Sequence, residues 1–293
     1  MDNSKFKGTG VAIITPFRTD KSIDFNALGK LVDFQIDNGT NFLVALGTTS
    51  EAATLSIDEK QAVIDFIIEA NNKRVPLVVG CGGNNTAEII KYMREHSKTG
   101  IDALLSVAPY YNKPNQTGLF EHFKALANTT SLPIILYNVP SRTGVNISAE
   151  TTIKLAKKFK NIIAVKEASG NFDQVMQIVK NKPKDFLVLS GDDGTTLPLI
   201  SLGFDGVISV IANAYPAQFS KMVQLSLQGK FNQARVIHYK LIDIINTMFA
   251  EGNPAGVKAY MKHLGLIENS LRLPLVPVSS KLESKIKTLA DNL

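Results

Sequence analysis

Short apolar runs, each closed by turn-forming residues, alternate along this chain with segments whose apolar positions recur at helical spacing. The runs that read as strands are Val11 to Ile14, Phe42 to Leu46, Leu77 to Gly80, Ala103 to Val107, Ile134 to Tyr137, Ile162 to Lys166, Leu187 to Ser190 and Gly206 to Val210. Such continuous apolar runs fit strands buried in a parallel sheet. Eight β units spaced by roughly 25 to 35 residues, with helices between them, predict a (β/α)8 TIM barrel, an α/β fold. A doubly wound open sheet competes with this, but Thr15, Pro16 and Phe17 follow the first strand where a GxGxxG turn would be needed. Ser56 and Glu59 make a capping box before Val63, Phe66 and Ile67, and Gly39 and Gly100 stand where helix C-caps fall.

Past the eighth strand the alternation stops. Pro216 to Leu227, Phe231 to Phe249, Pro254 to Leu264 and Ser279 to Leu289 read as helices whose apolar stripes are packing surface. The chain is therefore expected to divide into a barrel over residues 1–215 and a C-terminal helical region over residues 216–293 packed on it. No linker, low-complexity segment or internal repeat separates them.

Composition narrows the class without naming a reaction. Of 293 residues, 44% are hydrophobic and 20% charged, an ordinary globular balance. The single cysteine, Cys81, has no partner for an internal disulfide, and Met1 to Phe17 lacks the basic start and apolar run of a signal peptide, so a cytoplasmic location is expected. No apolar stretch approaches the ~20 residues that span a bilayer, so no membrane role is expected. The net charge of +6 is spread along the chain, which argues against nucleic acid and suits small acidic metabolites.

In a barrel of this kind, strand C-terminal ends and the loops after them face the active site. That rule selects Gly47, Thr48, Thr49, Ser50 and Glu51; Pro109, Tyr110, Tyr111 and Asn112; Tyr137 to Gly144; Lys166; Gly191, Asp192 and Asp193; and Ile208. Lys166 ends an apolar strand, where lysine is seldom fully buried. One reading is a side chain that snorkels to water; the other is a desolvated amine able to attack a carbonyl carbon and form a Schiff base. Gly47 and the two threonines read as a turn or as part of the site. Tyr110 and Tyr111 read equally as packing at the mouth. The phenol of Tyr137 needs a partner, which Thr48 is placed to supply. Arg142 reads as a surface ion pair or as a bidentate holder of a carboxylate. Asp192 and Asp193 read as a helix start rather than a metal site, since no His or Cys accompanies them. Cys81 follows the third strand and is placed to line the site, although no histidine is near to activate it. His96, His122, His238 and His263 fall in predicted helices, away from the strand ends.

With these residues assembled, the sequence resembles the dihydrodipicolinate synthase family, within the pyruvate-dependent class I aldolase-like lyases that include N-acetylneuraminate lyase. The resemblance rests on Gly47 to Glu51, Pro109 to Pro114, Tyr137 to Gly144, Val165 to Ala168, Ser190 to Asp193 and Gly206 to Val210, in family order along most of the chain. Ser50 departs from it, since the family usually has glycine there. The resemblance implies condensation of pyruvate with L-aspartate-4-semialdehyde in the diaminopimelate and lysine pathway, with no cofactor and no metal, in a homotetramer of two tight dimers. It implies that Lys166 forms the Schiff base and that Tyr137, Thr48 and Tyr111 relay protons, Tyr111 coming from the neighbouring subunit. It further implies that Thr49 and the Ile208 backbone hold the pyruvate carboxylate and that Arg142 receives the semialdehyde carboxylate; Gly191 is counted with them as a substrate-binding position. Positions matching a regulatory lysine site are Ala52, Ala53, Ile57, Lys60, Asn84, Glu88 and Tyr110. A sugar-acid aldolase is the alternative, and Arg142 within Pro-Ser-Arg-Thr-Gly speaks against it. A barrel that binds metabolites without chemistry is the other, and it would have no need of Thr48, Tyr111, Tyr137 and Lys166 together.

Overall fold

Residues 3–95 and 100–293 are described by the computed structural model. Eight parallel strands close a barrel in chain order: β1 (Gly8–Ala12), β2 (Phe42–Ala45), β3 (Leu77–Gly80), β4 (Ala103–Val107), β5 (Ile134–Asn138), β6 (Ile162–Glu167), β7 (Leu187–Ser190) and β8 (Gly206–Ser209). The helices between them are α1 (Phe25–Asp37), α2 (Ile57–Asn71), α3 (Thr86–Glu95), α4 (Gln116–Ala127), α5 (Pro140–Thr143), α6 (Ala149–Lys158), α7 (Phe172–Asn181) and α8 (Thr196–Ser201). After β8 come α9 (Pro216–Leu227), α10 (Phe231–Phe249), α11 (Ala255–His263) and α12 (Ser280–Asp291), the C-terminal helical region. Starts are fixed by side-chain caps: Asp24, Ser56, Asn115, Ser148, Asn171 and Ser279 each accept from a backbone N–H three residues on, and Ser56 completes its capping box with Glu59.

The first strand differs from its predicted span, beginning at Gly8 and stopping at Ala12 rather than running from Val11 to Ile14. Glycine hides it. A Cβ on Gly10 would lie 2.2 Å from the Phe42 ring, so the strand gives its inner space to a side chain of β2. β2 stops at Ala45 because Leu46 turns to φ +53, and β8 stops at Ser209. β5 and β6 instead run on to Asn138 and Glu167, polar residues that apolarity alone does not include in a strand.

Two apolar layers follow from the closed sheet. Val44, Val78, Leu105, Ile135, Tyr137 and Leu189 fill the interior with Phe42, while Val11, Leu43, Val79, Leu104, Leu136 and Val188 face the helices. β6 breaks this alternation, because Ile163 and Ala164 both belong to the inner layer while Ile162 and Val165 belong to the outer one. The pairing with β5 slips at the same place, from Ile134↔Ile162 to Ile135↔Ala164. α9 packs on β1, β8 and α8, and α10, α11 and α12 pack on one another beyond it.

Candidate active site

The slip in β6 decides where Lys166 points. Above it Tyr137 pairs with Lys166, and registered neighbours in a parallel sheet face the same side. Both side chains therefore enter the barrel at its C-terminal mouth. Lys166 is 5% exposed, and its Nζ sits 4.3 Å from the centre of the Tyr137 ring. No carboxylate pairs with that amine among the described residues. Gly191 borders the lysine stem: a Cβ there would lie 2.7 Å from Ala168 Cβ and 3.2 Å from Lys166 Cε. Ile208 is buried on β8 in the inner layer, beside the narrow Gly10. The snorkelling alternative for Lys166 does not hold.

β2 ends in a 3-10 turn, Thr48–Ser50. Ser50 closes it, its hydroxyl donating to Gly47 O at 2.7 Å. Its φ is not positive, so the position asks for no glycine, and the left-handed residue is Glu51, at φ +56. Glu51 is fixed from beneath by the C-terminal region. Its carboxylate accepts from Lys258 Nζ at 2.5 Å and from Arg272 N at 3.0 Å, in an ion pair with both side chains wholly buried. Lys258 also donates to Ser270 O and lies 4.3 Å from the Phe17 ring centre. Burial pushes the Lys258 amine down to about 8, against the pull of Glu51. Asn253 Nδ2 donates to Thr49 Oγ1 at 2.9 Å, so the same region orients that hydroxyl. Thr48 is exposed at the mouth.

Other expected members of the site lie on its rim. Arg142 is exposed on α5 and makes no ion pair among the described residues, so the surface-pair reading fails and its fork is free for a ligand. Tyr111 is 88% exposed at φ +73, and within one chain no hydrogen bond joins it to Thr48 or Tyr137, nor those two to each other. Of the positions matching a lysine site, Ala53, Ile57, Asn84, Glu88 and Tyr110 are exposed while Ala52 and Lys60 are half-buried. Glu88 lies in the first turn of α3, whose start is capped by Asn85 rather than Asn84; the Asn84 carbonyl accepts from Asn112 Nδ2.

Several expectations change. Asp193 does not start its own helix: wholly buried, it reaches across to accept from Val210 N and Ile211 N at 2.9 and 2.8 Å, the entrance of the 3-10 turn Ile211–Asn213 after β8. Burial pushes its carboxyl up to about 6, against the pull of those two N–H groups. Asp192 caps Gly194 N locally. Cys81 does not line the mouth; it packs in the outer layer, where burial pushes its thiol up to about 12 and leaves it inert. His122 bonds to Thr86 and is pushed down by burial to about 4, His238 and His263 sit on α10 and α11, and His96 lies outside the described residues. Sequence reasoning missed Lys258 and Asn253, and it placed Asn138 and Glu167 in the strand-end motifs without a role. One signal was available for Lys258, a lysine set among Val257, Ala259, Tyr260 and Met261.

Comparisons with known proteins give the family and the fold. The model of the Dihydrodipicolinate synthetase family matches residues 5–293. The 4-hydroxy-tetrahydrodipicolinate synthase of Parabacteroides distasonis is 52% identical over 293 residues, covering 100% of this chain and 99% of that protein. Among solved structures, the dihydrodipicolinate synthase of Aquifex aeolicus superposes with a TM-score of 0.95 at 43% identity, and that of Thermotoga maritima with 0.96 at 39%, each covering 98% of both chains.

Proposed function

The chain belongs to the dihydrodipicolinate synthetase family, and from that premise we propose how its residues carry out 4-hydroxy-tetrahydrodipicolinate synthesis. The enzyme is a lyase of amino-acid biosynthesis that joins pyruvate to L-aspartate-4-semialdehyde; the sugar-acid alternative falls to the full-length relatives. Lys166 Nζ attacks the pyruvate ketone carbon, and loss of one water leaves a protonated imine. That imine draws electrons from the methyl group, a proton leaves, and the enamine carbon attacks the aldehyde of the second substrate. Tyr137 gives and takes the protons, through Thr48 and through Tyr111 of a neighbouring subunit, so that hydroxyls in series carry them to solvent. The semialdehyde's own amine then displaces Lys166 and closes the ring.

The observation that carries this reading is a buried amine with no carboxylate partner among the described residues, set against the face of a buried phenol. Thr49, the Ile208 backbone and Gly191 take the pyruvate end, and Arg142 the semialdehyde carboxylate. The deciding experiment is incubation with pyruvate and borohydride followed by peptide mapping: a stable adduct on Lys166 is expected, and an adduct on any other lysine overturns the assignment. Arg142→Ala is expected to weaken use of L-aspartate-4-semialdehyde by about 10- to 100-fold, the worth of a charged hydrogen-bonded pair, while pyruvate trapping keeps its rate. Equal damage to both substrates would make Arg142 structural.

We place the enzyme in the cytoplasm as a homotetramer of two tight dimers. No helix among the described residues is long and apolar enough to cross a membrane. Free lysine binds the rim positions weakly, held by Asn84, Glu88 and Tyr110 beside Ala52 and Ala53 but opposed by the Lys60 ammonium, a repulsion on the order of 1 kcal/mol at a partly exposed site. A lysine titration of the initial rate is expected to show partial inhibition that deepens in a Lys60→His variant. Strong inhibition of the unmodified enzyme at sub-millimolar lysine would contradict the repulsion.

A further inference from the structure

Had β6 kept strict alternation from Ile162 upward, Val165 would stand beside Tyr137, and Lys166 would turn outward beside Asn138. The extra residue at Ile163 and Ala164 moves every later side chain of β6 to the other face. A bulge gives up ladder hydrogen bonds, so the shifted register needs something above it to hold it. The last registered pair, outside the barrel and directly past Tyr137 and Lys166, is Asn138 with Glu167.

These two are tied together as no other polar pair along the sheet is among the described residues. Glu167 is 2% exposed and Asn138 wholly buried, and no cation among the described residues pairs with the carboxylate. Glu167 Oε1 accepts from Ser169 N at 2.7 Å and from Asn138 Nδ2 at 3.2 Å. Its Oε2 accepts from Asn138 Nδ2 at 3.0 Å and from Gln174 Nε2 at 3.2 Å. Asn138 cannot turn over its amide, because its Oδ1 accepts from Ile147 N at 2.9 Å while its Nδ2 also reaches Asn146 Oδ1 at 2.8 Å. Neutral donors therefore fix one orientation of a buried carboxylate across two strands. An apolar pair would cover the sheet at less cost but would not select a register.

We propose that Glu167 and Asn138 are positioning residues that lock the ends of β5 and β6 in the shifted register, and so bring Lys166 and Tyr137 face to face inside the barrel. The proposal rests on the reading of those two as the reacting pair. Glu167→Gln keeps shape but sets an amide against either Asn138 Nδ2 or Ser169 N, donor facing donor. With native circular dichroism, this variant is expected to lose about 10²-fold in kcat, the effect of a displacement near 1 Å, and to form the trapped pyruvate imine more slowly by a similar factor. Its KM for L-aspartate-4-semialdehyde should hardly change, which a general loss of structure would not allow. In Asn138→Asp/Glu167→Gln the amide and carboxylate exchange places, Asn146 and Gln174 turn over to match, and most of the lost rate is expected to return. Unaltered kcat in Glu167→Gln, or a double variant no faster than the single one, overturns the proposal. Should Glu167→Gln fail to fold, Gln174→Met leaves the carboxylate in place and removes one of its donors together with the Gln174 bonds to Asn146 and Ile147 O, and is expected to slow imine formation less severely; full rate there also overturns it. An adduct on a lysine other than Lys166 in the unmodified enzyme is a separate outcome, and sinks the reading beneath the inference instead.

Discussion

Lys166→Arg is expected to abolish borohydride trapping of pyruvate and to lower turnover by on the order of 10⁴-fold or more, with the far-ultraviolet spectrum retained. A guanidinium stays charged at any pH the protein survives and has no amine to offer a ketone carbon, so no imine forms and no later step follows. Loss of the fold is not expected, because the variant keeps a long cationic stem beside the Tyr137 ring. Trapping that persists in the variant would move the chemistry to another lysine. The same variant reports on Tyr111. Mixed with Tyr111→Phe, itself expected to be nearly inactive, it is expected to give heterodimers in which one site has an intact lysine and the partner's intact phenol, so that activity partly returns. Full activity in an isolated monomer would rule out a shared site.

Lys258→Met is expected to be the most destabilising of the substitutions considered, by about 3–5 kcal/mol, because it strands the Glu51 carboxylate wholly buried and without its cation. At about 2–4 °C per kcal/mol for a chain somewhat shorter than this, the melting temperature should fall by roughly 5–15 °C in a calorimetric scan. Activity should fall with it, since Glu51 fixes the turn that carries Thr48 and Thr49. Adding Glu51→Gln removes the stranded charge and should recover much of the stability. A single variant within about 1 kcal/mol of the unmodified protein would mean that the pair is not buried in solution.

How much of this was visible in the residues follows from what apolarity reports. It located all eight strands, because seven of them are apolar runs and the eighth element, β1, keeps Val11 and Ala12 at its end. It misplaced the start of β1, since Gly8 and Gly10, which leave room for Asn41 and Phe42, carry no hydrophobic signal. Strand-end position selected Lys166, Tyr137, Thr48 and Arg142, but the resemblance alone gave their roles. It could not select Lys258, on α11, or Asn253, in the turn before it, both distant in the chain from the strand ends they contact. Nor could it show the slip in β6, because Ile162 to Val165 are all apolar and an inner residue looks the same as an outer one. Glu167 and Asn138 stood inside the family motifs, yet their tie depends on which face each takes after that slip.

Closure of the barrel in chain order sets a schedule for the ribosome. β1 leaves the exit tunnel first and its partner β2 follows about 30 residues later, but its other edge has no partner until β8 is made, about 200 residues later. At bacterial and eukaryotic elongation rates that is on the order of ten to forty seconds during which a growing open sheet carries two bare edges. Lys258 emerges later still, so the carboxylate of Glu51 waits through the whole interval. Nascent chains halted before residue 206 are thus the ones expected to depend on chaperones, and those halted after residue 258 the first able to resist protease.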